Sequence, residues 1–298
     1  MELRWKPSTA ATALHAAERL IYARPFVDQV IASALAEPGE QLAKEITLTP
    51  GLDRKFFLAN LTALAAAISN NRELAELALT KTFGREKAKP HVAAFAGRIS
   101  DVEIALNRAV PNLAVQLQLR IQPLREQWEA RGPGLLFNVG RTTEPGILVS
   151  DAEVILLQPV AGGGGRAHIH FNTVRIEAIL TNPHPQLPEV VRLAWMLSQL
   201  NLDLPDYQGV LTRDRTEVVG ALALLPVVLS AGEEVELVRN DATTLAAAIN
   251  GWECLDSVNM KERNVNEIAN NLLVWWETYQ SARPRWSVAL AALDRMLV

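Results

Sequence analysis

The chain has 298 residues, 49% of them hydrophobic and 21% charged, the balance of an ordinary globular protein long enough to bury a substantial core. Lysine and arginine number 29 against 33 acidic residues, for a net charge of −4. That lacks the whole-chain basic footprint of a nucleic-acid-binding protein, and no nucleic-acid partner is expected. Its single cysteine, Cys254, excludes an intramolecular disulfide and fits a cytoplasmic setting.

The opening Met1–Pro7 carries charges with no apolar core behind them, which argues against a secretory signal. Ser8 or Thr9 can cap a helix through Ala11, Leu14, Ala17, Leu20 and Ile21 toward Pro25. A second helix, 26–36, carries Val27, Val30, Ile31 and Leu35 and is closed by Pro38-Gly39. A third is expected from Asp53 to Ser69, ended by Asn70-Asn71, followed by helices at 73–82, 92–110 and 112–131. Alanine is abundant throughout, which favours helix, and no fixed-period repeat is present.

The pattern changes at Gly132-Pro133-Gly134. Residues 135–139, 147–149 and 154–160 are short Val/Ile/Leu runs bounded by Gly, Pro and Thr, and 141–146 suits a turn between the first two. These are strand signals, and a further strand is expected at 167–171. Asn172 or Thr173 can then cap a helix through Val174, Ile176, Ile179 and Leu180 that stops before Pro183. Pro188 suits the first turn of a helix over 189–200 that is apolar almost all round and therefore deep in the core. Helices are expected at 216–230, 242–250, 265–280 and 286–297, with a short strand at 235–238. The most apolar window, 218–229, contains Pro226 and is too short to span a bilayer, so no membrane role is expected.

The expected fold is α+β and mainly helical. A sheet of three or four strands, at about residues 134–171, packs between an N-terminal helical layer and C-terminal helices. Subdomains 1–131 and 132–298 are expected, either distinct or merged into one compact domain.

The richest stretch for chemistry is Gly162-Gly163-Gly164-Gly165-Arg166-Ala167-His168-Ile169-His170-Phe171-Asn172. On a strand, His168, His170 and Asn172 share one face, where the two histidines can hold a divalent metal such as zinc. Glu177, His184 and Glu189 are the nearest further ligands in sequence. A solvated polar strand face is the plainer reading, because spacing leaves the ligand count unmet. The backbone of Gly163, Gly164 and Gly165, with the Arg166 guanidinium, can cradle a phosphate or carboxylate. The loop lacks the Lys-Ser/Thr ending of a P-loop and the spacing of a dinucleotide fingerprint.

Gly162 to His170 resembles the opening of the first cupin motif, but that motif's glutamate position falls on Val174 or Arg175. His168-Ile169-His170-Phe171-Asn172 resembles the strand of the histidine-triad hydrolases and transferases, with Asn172 where that family has a third histidine or a glutamine. Neither family is carried over to the chain.

Two functional readings follow. The first is a soluble cytoplasmic binding or protein-interaction protein. It takes a protein partner or a small anionic ligand, and the aromatic tail Trp275, Trp276, Tyr279 and Trp286 offers a contact surface to a partner or to a second protomer in a homo-oligomer. The second is a metal-dependent or histidine-based hydrolase or transferase acting on an anionic substrate. There His168, His170 and Glu177 are catalytic, Gly163, Gly164, Gly165, Arg166 and Asn172 bind substrate, and His168 and His170 hold the metal. The first is favoured, because the second lacks a complete catalytic set.

Overall fold

The computed structural model describes residues 1–144, 146–202, 204, 211–255 and 264–297. The chain opens with a strand, β1 (Glu2–Pro7), and Ser8 then caps α1 (Thr9–Ile21), its hydroxyl accepting from Ala11 N. Asp28, Asp53 and Asn70 cap α2 (Gln29–Leu48), α3 (Arg54–Leu64) and α4 (Asn71–Phe83) in the same way, each satisfying N–H groups that a helix start leaves unpaired. A short α5 (Arg85–Ala88) leads to α6 (Val92–Ala109) and the long α7 (Leu113–Thr142). Next come β2 (Asp151–Leu157), β3 (Gly165–His168), one 3-10 turn (Ile169–Phe171) and β4 (Thr173–Glu177). The chain continues through α8 (Glu189–Ser198), α9 (Arg213–Glu234), α10 (Ala242–Gly251), α11 (Val265–Ala282) and α12 (Trp286–Met296).

The four strands form one sheet in the order β1-β2-β4-β3. β2 lies parallel to both β1 and β4, and β3 is antiparallel to β4. Side chains alternate across a sheet, and here the alternation divides two cores. Ile155 and Leu157 pack with α1–α6 and the first turns of α7, whereas Val154, Leu156, Val174 and Ile176 pack with the rest of α7 and with α8–α12. The remaining residues of β4, Thr173, Arg175 and Glu177, thus face the α1 side. The fold is mainly helical α+β, with the small sheet between two helical layers.

Several segments differ from the sequence expectation. Residues 135–139 belong to α7, which runs through Gly132-Pro133-Gly134 without ending, and position 132 lies inside this helix. Tertiary packing overrides the local breakers: Leu124, Trp128, Gly132, Leu135 and Val139 form one buried stripe. A side chain at Gly132 would come within 2.4 Å of the Trp128 ring. Likewise α2 passes Pro38-Gly39 to reach Leu48, because Ile31, Leu35, Gly39, Leu42 and Ile46 share a buried face. Residues 147–149 form a loop, and Pro145 of the expected turn lies outside the described residues. The expected helix after Asn172 is instead β4, and the expected strand at 235–238 is turn and loop. β1, not expected, completes the sheet.

Candidate functional site

Glu177, at the end of β4, organises the glycine loop. Its Oε1 accepts from Val160 N (3.1 Å), Ala161 N (2.8 Å) and His15 Nε2 (3.0 Å), and its Oε2 accepts from Gly163 N (2.8 Å). A run of backbone N–H groups makes an anion-binding concavity, and here the protein's own carboxylate fills it. Burial alone would raise the Glu177 pKa. The hydrogen bonds from His15, Gly163 and Ala161 outweigh that and hold it well below the usual carboxylate range.

This geometry accounts for the four glycines. Gly162 and Gly163 have φ of +79° and +136°, conformations that strain residues with a Cβ. At Gly164 a Cβ would lie 3.2 Å from Glu177 Oε1 and 3.4 Å from His15 Nε2. At Gly165 it would lie 2.9 Å from both Arg175 O and Met196 Sδ. The Gly163 amide expected to face a ligand is therefore turned inward, onto Glu177.

Beside this clamp lies a buried charged layer between α1 and the β3–β4 edge. Glu18 pairs with Arg175 and lies 3.7 Å from Arg166. Burial opposes ionisation of Glu18, but the Arg175 and Arg166 charges bring its pKa down to about 2. His168 faces the same layer and is 5% exposed. Desolvation, then the Arg175 and Arg166 charges, push its pKa well below the ordinary histidine value. His15 is lowered too, by burial first, with the Glu177 hydrogen bond opposing.

The two histidines of the motif do not meet. His168 ends β3 and is buried, whereas His170 lies in the following 3-10 turn and is exposed. The strand pairing they were expected to share stops at His168↔Thr173. Asn172 adopts a left-handed conformation at φ 46°, and its carbonyl accepts from Glu153 N at 3.0 Å, so it makes the turn into β4. Glu189 pairs with Arg192, and His184 lies elsewhere, in the cleft described next. Among the described residues no three His, Cys, Asp or Glu side chains converge as a metal site.

A cleft of about 350 Å³ opens on the outer side of the glycine loop. Gly162, Gly163 and Gly164 form one wall, Val27 and His184 flank it, and Asn250, Gly251 and Glu253 close it. Glu253 follows α10 with φ 54°. The bonds Cys254 N to Ile249 O (3.1 Å) and Glu253 N to Asn250 O (3.3 Å) place it at the position of a Schellman cap where glycine is usual. Its carboxylate is gripped from the other helical layer: Arg19 donates to both oxygens at 2.9 and 3.0 Å, and Arg24 lies at 3.5 Å. Burial would raise the Glu253 pKa, but the Arg19 bonds and the Arg19 and Arg24 charges lower it.

His15, Glu18, Arg19 and Glu253 were not singled out in the sequence. The first three occupy one turn of an amphipathic helix, and only the packing of α1 on β4 shows that this turn faces charge. The rings of Trp275, Trp276, Tyr279 and Trp286 are 3%, 2%, 3% and 0% exposed and pack on one another inside the C-terminal core, Tyr279 stacked on Trp275 and Trp286 edge-on to both. They are packing residues and offer no open aromatic surface. Neither protein-family models, nor curated proteins, nor solved structures provide a match to this chain.

Proposed function

We propose that the protein is a binding protein for a small polar molecule, held in the cleft between the glycine loop and the end of α10. One observation carries this reading: the cleft wall is backbone fixed in advance. The three backbone donors on Glu177 lock the loop, so binding there loses little conformational entropy. The volume of about 350 Å³ lies within the range of small-molecule sites, roughly 300–1,000 Å³. Opposite the loop stands Glu253, an ionised acceptor in a conformation costly for a residue with a Cβ, and such outliers concentrate at functional sites. A ligand presenting N–H or O–H donors to the lone pairs that Glu253 keeps beside its Arg19 bonds, on its one-third exposed side, fits this wall.

The hydrolase or transferase reading has weaker support. His168 and His170 do not share a face, and both oxygens of Glu177 are engaged by backbone and His15. Amide NMR spectra recorded with a panel of amino acids, sugars and nucleosides at millimolar concentration test the proposal. Saturable shifts at Gly162, Gly163 and Gly251, abolished by Glu253→Gln, are expected. Shifts scattered over the surface, or none for any panel member, would sink it.

A further inference from the structure

The walls of the cleft carry more hydrogen-bonding capacity than the fold itself uses. Thr181, His184 and Asn250 line it, and none of their side chains has a hydrogen-bond partner among the described residues. His184 is nevertheless set in place by a closed loop. Asn182 Oδ1 accepts from His184 N at 2.8 Å, Asn182 Nδ2 donates to Leu187 O at 2.7 Å, and Leu187 N donates to His184 O at 2.8 Å. The imidazole lies against the end of α10, where a Cβ on Gly251 would come within 3.0 Å of His184 Cδ2. Beside the glycine loop Val27 is fixed through its N–H on Val160 O at 2.8 Å. Its side chain is 63% exposed and would lie 3.3 Å from a Cβ on Gly162.

The charge of the fourth polar group, Glu253, is already met. Arg19 donates to both of its oxygens, and Arg24 stands 3.5 Å away. A cationic ligand that approaches this carboxylate also approaches two guanidiniums, and an anionic ligand meets the carboxylate itself. Neither approach is favoured by charge. A hydroxyl group has no such conflict. It donates to a remaining carboxylate lone pair in a charge-assisted hydrogen bond and accepts at its own oxygen. Threonine and asparagine side chains, and a neutral imidazole, each offer both a donor and an acceptor. Neighbouring hydroxyls on a ring complement that pattern, and the C–H face of the ring suits the methyl groups of Val27.

Given that the cleft is a small-molecule site, as proposed above, we infer that its ligand is an uncharged polyhydroxylated ring, a free sugar or cyclitol. Its hydroxyls engage Glu253, Asn250 and His184, and its apolar face rests on Val27.

Amide NMR titration of the intact chain tests this class. Glucose, galactose, ribose and myo-inositol are the neutral probes, glucosamine and glucuronate the charged ones, with amino acids and nucleosides alongside. At least one neutral probe is expected to saturate the shifts at Gly162, Gly163 and Gly251. The charged sugars bind about tenfold or more weakly, because each brings a like charge against the wall. Asn250 is exposed, so Asn250→Ala leaves the core intact, and the neutral probe binds it about fivefold more weakly for the loss of one hydrogen bond. An amino acid or nucleoside that saturates the same shifts when no neutral probe does overturns the class and leaves the cleft as a site. Equal or tighter binding of a charged sugar, or unchanged affinity in Asn250→Ala, also overturns the class. Shifts with no probe of any kind remove the site and its ligand class together.

Discussion

His15 Nε2 and Glu177 Oε1 lie 3.0 Å apart although 162 positions separate them in the chain. The carboxylate only accepts, so Nε2 donates in this bond, and burial holds the imidazole pKa below its ordinary value. The contact ties α1, β4 and the glycine loop together, because the same carboxylate holds Val160, Ala161 and Gly163. Replacing Glu177 by Gln puts an amide N–H₂ against N–H groups. A loss of about 2–4 kcal/mol is expected, the range for breaking a buried charged network. Urea unfolding measures it, and amide exchange at Ala161 and Gly163 should quicken. An unchanged midpoint would show the clamp to be dispensable.

Alanine at the individual glycines separates conformational strain from crowding. Gly51→Ala meets only the left-handed penalty, since its φ is +74° and nothing lies within 4 Å, and a loss of roughly 1 kcal/mol is expected. Gly163→Ala adds contact with Arg192 Nη1 at 3.1 Å to a φ of +136°, and about 2–3 kcal/mol is expected. Thermal unfolding of the two variants should rank them in that order, and the reverse order would contradict the loop geometry.

Glu253 gives a test in which relief and damage compete. Glu253→Gly removes a left-handed penalty of roughly 1 kcal/mol. It also takes the carboxylate from Arg19, 2% exposed, which keeps its bonds to the Pro25 carbonyl; because Glu253 is one-third exposed, the loss is about 3 kcal/mol, the low end for a buried pair. Net destabilisation of about 2 kcal/mol or more is expected by denaturant titration. A more stable variant would mean that the ion pair across the two layers contributes nothing.

Acid should weaken the fold in a definite window. His15 and His168 have native pKa values below the ordinary histidine value of 6.5, so the unfolded chain takes up protons first. Their contribution is intact above about pH 6.5 and falls as pH drops toward the native values, by about 1.4 kcal/mol per pH unit for each histidine. Glu177, Glu18, Arg175 and Arg166 surround the pair. Glu18, held at about 2, and Glu177 lose their contribution only at lower pH. Stability measured between pH 7 and 5 should fall less steeply in His168→Gln, and an identical slope would rule His168 out as a source.

Much of the helical content was legible because its causes are local. The Ser8 cap and the apolar spacing of Ala11, Leu14 and Ala17 act within one or two turns. The continuation of α7 past Pro133 was not legible, since it depends on Trp128 and the C-terminal layer. The stretch Thr173-Val174-Arg175-Ile176-Glu177 alternates polar and apolar as a strand does, yet with Ile179 and Leu180 it also fits an amphipathic helix. Pairing with β2 on one side and β3 on the other decides for the strand. The glycine loop and Glu177 stood out in sequence. Their role did not, because the donors to Glu177 are main-chain groups and its side-chain partner is a histidine on the first helix.

The parallel pairing of β1 with β2 has a consequence for how the chain is made. During synthesis Glu2–Pro7 waits, unpaired, while α1 through α7 emerge, and its partner is complete only at Leu157. Closing so long a loop is slow relative to local helix formation. The helices of the N-terminal layer therefore exist before the surface that they cover, and their apolar faces depend on each other, or on a chaperone, until the sheet arrives.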